Sequence, residues 1–124
     1  MTKKVLIVDD EENLISLVLA TLGYSERYDV SVAHDGRQAL DVALQQRPDL
    51  VILDMLMPML DGCAVCRALK QNPLTAHAKV IMLTAMAQQA DRQKALIAGV
   101  DDFITKPFSP TALLKKVDQM IGAI

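Results

Sequence analysis

No apolar stretch of this 124-residue chain approaches membrane-spanning length, and Met1-Thr2-Lys3-Lys4 leads straight into a strand pattern. Neither a transmembrane helix nor a signal peptide is expected, and the reading is a cytoplasmic protein. Charge of one sign is lacking too. A net charge of -2 and a pI near 5.6 give no electrostatic case for nucleic acid or an anionic membrane as partner. No Pro/Gly/Ser-rich linker, low-complexity tract or internal repeat divides the chain, so residues 1–124 read as one domain. Glutamate is scarce. Twelve Asp stand against three Glu, and all three Glu fall in the first 26 residues. Short Asp side chains suit strand ends and turns, where a carboxylate is held close to the backbone.

Cysteine is limited to Cys63 and Cys66, a C-x-x-C pair. One pair lacks the four ligands of structural zinc, and no strand ends directly before it as a thioredoxin-like motif requires. With Ala64 and Val65 between them and Leu69 beyond, the two read as buried or half-buried helix residues. Neither a disulfide nor redox chemistry is expected.

What the chain does have is a core-forming composition, 52% apolar and 23% charged, arranged as strand and helix patterns alternating five times. Strands are expected at Lys3–Asp9, Asp29–Ala33, Leu50–Leu53, Val80–Leu83 and Asp102–Thr105. Helices are expected at Glu11–Leu22, from Asp35-Gly36 to Pro48, from Asp61 to about Lys70, at Gln88–Ala98 and at Pro110–Ile121. Asp61 and Ser109 are the expected helix caps. Such alternation implies right-handed crossovers and a parallel sheet covered on both faces. Strands one, three and four are nearly continuous apolar runs and suit the centre, while two and five suit the edges. An order of 2-1-3-4-5 is compatible with this pattern without being fixed by it.

Polar residues stand at the carboxyl ends of these strands, where open α/β sheets bind ligands. Asp9-Asp10 follows Val5-Leu6-Ile7-Val8, and Asp54 follows Leu50-Val51-Ile52-Leu53. Thr84 follows Val80-Ile81-Met82-Leu83, and Lys106-Pro107 comes just after Phe103-Ile104. Three carboxylates, a hydroxyl and an ammonium at one edge suit a divalent cation and a phosphoryl group.

The segments VLIVDDE, LDMLMPMLDG, VIMLTA and GVDDFITKPFSP, in this order, closely resemble the receiver domain of two-component response regulators, including the chemotaxis type. The resemblance covers the whole chain and implies a flavodoxin-like, doubly wound five-stranded sheet of order 2-1-3-4-5. It implies that Asp54 accepts a phosphoryl group from a phosphohistidine on a sensor histidine kinase or a histidine phosphotransfer protein. Mg²⁺ would be held by Asp10 directly, by Asp9 largely through water, by Asp54 and by the Leu56 carbonyl. Lys106, joined to Pro107 by a bond typically cis in this family, would face the phosphoryl oxygens. Thr84 would donate its hydroxyl to a phosphate oxygen, and Phe103 would be the aromatic that turns inward with it. The output surface would be the fourth helix, fifth strand and fifth helix, Gln88 to Met120, read by a downstream protein or domain. Such a chain assists its own phosphorylation and dephosphorylation but acts as a signalling protein rather than an enzyme.

Two positions depart from the common pattern. Leu56 and Met86 flank the phosphate site in this family, and neither side chain offers a hydrogen bond to a hydrolytic water, which favours a long-lived phosphoryl state. Other classes fit less well. A haloacid-dehalogenase-type phosphatase needs a second Asp where Leu56 stands. The acids at 9–12 would repel a flavodoxin's phosphate, and the P-loop pattern is absent. The remaining alternative is a receiver-fold interaction module whose output ignores phosphorylation.

Overall fold

The chain folds into five strands and five helices in strict alternation, seen in a computed structural model that describes residues 2–23, 26–55, 61–84 and 89–122. The strands are β1 (Lys3–Val8), β2 (Tyr28–Ala33), β3 (Leu50–Asp54), β4 (Lys79–Thr84) and β5 (Asp102–Thr105). The helices are α1 (Glu12–Gly23), α2 (Gly36–Gln46), α3 (Gly62–Gln71), α4 (Gln89–Ala98) and α5 (Pro110–Ile121). All strand pairs are parallel, in the order β2-β1-β3-β4-β5. This is the flavodoxin-like sheet that the sequence led us to expect.

Pleating divides the apolar runs between two cores. Leu6 and Val8, Val51 and Leu53, and Val80 and Met82 pack with Ala39, Ala43, Val65, Leu69, Ala95 and Ala98 from α2, α3 and α4. Their neighbours Val5, Ile7, Leu50, Ile52, Ile81 and Leu83 pack on the other face with Ile15, Val18, Leu22, Leu113 and Val117 from α1 and α5. β3 is buried throughout, whereas β2 and β5 are only partly buried, as edge strands should be.

Local chemistry sets the helix starts. Asp35, Asp61 and Ser109 accept the backbone N–H groups of Gln38, Ala64 and Ala112 at 2.8, 2.8 and 3.0 Å. Pro110 then opens α5 where its missing N–H costs nothing. Gly99 follows α4 at φ 103°, a left-handed value that glycine accepts without strain. Several boundaries move by one residue from expectation. The ladder carries β3 through Asp54 and β4 through Thr84, β1 stops before Asp9, β2 begins at Tyr28, and α1 runs from Glu12 to Gly23.

Cys63 and Cys66 are buried in α3 and not disulfide-bonded. Burial pushes the Cys66 thiol up to about 11 against the opposing charge of Lys70. A thiol held protonated is a poor nucleophile and a poor metal ligand. Among the described residues, no helix is long and apolar enough to cross a membrane.

At the amino end of the sheet, α5 is fastened to the edge strand β2. The Tyr28 hydroxyl donates to Asp118 Oδ1, and Arg27 Nη2 lies 3.4 Å from Asp118 Oδ2. Burial, then the Asp118 hydrogen bond and charge, lift the Tyr28 hydroxyl to about 12, with Arg27 opposing. Because the folded value lies above the usual 10.0, this contribution is complete below pH 10.0 and lost as pH rises through about 12. A Tyr28→Phe variant should lose the tyrosinate absorbance step near 12 and show a shallower alkaline fall in stability. An unchanged absorbance step would assign it to Tyr24 and remove Tyr28 from the account.

Candidate functional site

Register brings the strand ends together. Val8 is paired with Leu53, Asp54 with Leu83, and Thr84 with Thr105. The residue after each pair therefore lands on the same carboxyl edge, which sets Asp9 beside Asp54 and Lys106 beyond Thr84. Backbone bonds fix the edge further. Met55 N–H donates to the Leu83 carbonyl at 3.0 Å, and Lys106 N–H to the Thr84 carbonyl at 2.8 Å. The Lys106–Pro107 peptide is cis.

Gly62 holds this arrangement from below. Its N–H donates to the Met55 carbonyl at 3.0 Å. A Cβ there would lie 2.4 Å from the Asp54 carbonyl oxygen and 2.9 Å from Met55 Cα. Only a residue without a side chain lets α3 approach the end of β3 so closely.

Carboxylate oxygens of Asp9, Asp10 and Asp54 lie within 4.8 Å of one another. Asp9 is fully buried, Asp54 is 8% exposed and Asp10 faces solvent. Asp9 Oδ1 accepts the Glu11 N–H at 2.9 Å. Its Oδ2 accepts from Lys106 Nζ at 3.2 Å, and the same ammonium lies 3.5 Å from Asp54 Oδ2. Burial acts to lower the Lys106 pKa, but Asp54 and Asp9 together outweigh it and hold the ammonium above its ordinary value.

Three carboxylates against one ammonium leave an excess of negative charge in a largely buried cleft. Hard oxygen donors with one member open to water are the ligand set of a small divalent cation such as Mg²⁺. The residues present fit that ion: Asp9, Asp10 and Asp54 could hold it. Thr84 is buried at the same edge. Phe103 is half-buried, packs against the α2–α3–α4 side of the core, and has Arg92 Cζ 5.3 Å from its ring centroid. The Leu56 carbonyl and the Met86 side chain lie outside the described residues.

Two features escape sequence reasoning. Arg92 over Phe103 depends on how close a helix comes to a strand, which no local pattern records. Gly62 carries a partial signal, since Asp61-Gly62 stands just after the Asp54 segment.

A family model described as the response regulator receiver domain matches residues 5–118. The alkaline phosphatase synthesis transcriptional regulatory protein PhoP of Bacillus subtilis is 42% identical over 121 residues, which cover 98% of this chain. The chain spans about half of that protein's length, 49%. Among solved structures, chemotaxis response regulator CheY4 of Vibrio cholerae superposes with a TM-score of 0.91 at 31% identity, covering 98% of this chain and 100% of that one. The receiver domain of sensor histidine kinase PA1611 from Pseudomonas aeruginosa, with a magnesium ion coordinated in its active site cleft, gives 0.85 at 32% identity, covering 99% and 100%.

The close approach at Gly62 is testable. Gly62→Ala should destabilise the domain by about 1–3 kcal/mol, the range for an overpacked site, read as a lower urea midpoint at unchanged slope. A variant as stable as the parent would show that the end of β3 moves aside freely and that Gly62 does not position Asp54.

Proposed function

The chain belongs to the response regulator receiver domain family, and on that premise we propose that it is a phosphorylation-controlled switch with Asp54 as phosphoacceptor. One observation carries the reading: Asp9, Asp10 and Asp54 converge within 4.8 Å while Lys106 Nζ stands 3.5 Å from Asp54. We take residues 1–124 as one receiver unit, a signalling protein acting in the cytoplasm.

In the proposed transfer, an Asp54 oxygen attacks the phosphorus of a phosphohistidine. The new O–P bond forms as the P–N bond breaks, and the imidazole leaves with the electron pair and takes a proton from water. Mg²⁺, when bound, supplies positive charge that offsets repulsion between the carboxylates and the incoming phosphoryl group. Asp9 and Asp10 are the residues that would hold it, with Asp54 and the Leu56 carbonyl. The magnesium in the PA1611 receiver supports this assignment.

Lys106 is shared between Asp9 and Asp54 and is raised in basicity, so it stays protonated to face phosphoryl oxygens as charge develops. The Thr84 hydroxyl, buried at the same edge, would donate to a phosphate oxygen once Asp54 is modified. Phe103 lies on the same sheet face as Thr84 and would turn inward with it, changing the surface of α4, β5 and α5. The donor would be a sensor histidine kinase or histidine phosphotransfer protein. That surface would be read by an output domain or protein, with no direct contact to nucleic acid or membrane by this unit.

Acetyl phosphate with Mg²⁺ should add one phosphoryl group to the parent chain, seen as intact mass, and none to Asp54→Asn. Omitting Mg²⁺ should slow the reaction severely. An Asp54→Asn chain that gains the group at the parental rate would remove Asp54 from the role. A parent chain that never gains it would favour an interaction module indifferent to phosphorylation.

A further inference from the structure

The contact between Arg92 and Phe103 links α4 to β5 and has no part in the phosphoryl chemistry. Arg92 Cζ lies 5.3 Å from the ring centroid. At that distance a guanidinium is attracted to the negative face of an aromatic ring. Arg92 is exposed and Phe103 half-buried. The pair therefore forms where part of the ring is still open to the helix surface.

Phe103 is placed so that movement would break this contact. It pairs with Met82, while Thr84 pairs with Thr105. Alternation puts Met82, Thr84 and Phe103 on one face of the sheet, with Thr84 one repeat further along the neighbouring strand. A ring turning toward Thr84 enters the space between the ends of β4 and β5. Arg92 cannot follow it there without burying an unpaired charge. On the switch reading, the contact belongs to the half-exposed orientation and would be lost in the inward one.

We infer that Arg92 is a positioning residue of the switch: its guanidinium holds the Phe103 ring in the half-exposed orientation and biases the resting domain against the inward one. This inference rests on the reading of Thr84 and Phe103 as the moving pair. An interaction made in one of two states shifts their ratio by the strength it has in that state alone. For an exposed cation–π pair the expected bias is about threefold. Arg92 is thus a brake on activation set by a single surface residue.

Phe103 and Phe108 are the two phenylalanines of the chain. Ring-labelled phenylalanine therefore gives two sets of NMR signals, which Phe108→Leu assigns. The parent, Arg92→Gln and Arg92→Lys are titrated with beryllofluoride, a phosphoryl mimic, in the presence of Mg²⁺. In Arg92→Gln the midpoint should fall about threefold, and the Phe103 signals before addition should lie part-way toward their saturated position. Arg92→Lys keeps a cation over the ring but loses the planar guanidinium, and should fall between the other two. The midpoint decides, because removing a guanidinium alters ring shielding whatever its role. A midpoint in Arg92→Gln equal to or above the parent's would overturn the brake, while a parent ring that still moves at saturation would leave the switch reading standing. A parent ring that stays still, with bound fluoride visible by its own resonance, would end the switch role of Phe103 and this inference with it.

Discussion

The crowding of Asp9, Asp10 and Asp54 around one ammonium is the constraint on which the rest of the structure depends. Like charges this close repel, and Asp9 is fully buried, so its charge must be met inside the protein. Lys106 meets it at 3.2 Å and reaches Asp54 at 3.5 Å, while the Glu11 backbone N–H satisfies the other Asp9 oxygen. The arrangement stays short of positive charge. That shortage suits a divalent cation, whose charge would offset the carboxylates.

Keeping such a cluster in place demands a rigid frame. Parallel pairing of β1, β3, β4 and β5 delivers each polar residue to the edge at a fixed register, and two apolar cores clamp the sheet from both faces. Gly62 closes the frame by letting α3 touch the backbone of Asp54. The Phe103 contact lies at the margin of this frame. Phe103 sits on an edge strand, half-buried, with α4 and the exposed Arg92 above it. The cluster is thus held by the buried central strands, whereas β5 lies at the partly exposed edge of the sheet.

Much of this was legible in the sequence, for physical reasons that can be named. Apolar runs broken by Asp54, Thr84 and Asp9 mark strands that end in polar groups, and helical periodicity between them marks the crossovers. Asp61 and Ser109 read as caps because a short polar side chain beside a helix start has one obvious use. Boundaries slipped by a residue where backbone pairing outlasts the apolar pattern, as at Asp54 and Thr84. The convergence of the strand ends was legible as soon as the sheet order was. The ion pairs of Lys106, the tie from Tyr28 to Asp118 and the cover of Arg92 over Phe103 were not. Each joins residues 11 to 97 positions apart, through side-chain reach that only the packed structure fixes.

A crystal structure of this chain with Mg²⁺ and beryllofluoride tests the central claim most directly. The account predicts beryllium on an Asp54 oxygen and the metal ion on the Asp9 and Asp10 side of the cleft. Lys106 Nζ should have moved from the carboxylates onto a fluoride, and the Thr84 hydroxyl onto another. Fluoroberyllate on a different side chain, or a metal ion held away from Asp9 and Asp10, would contradict it.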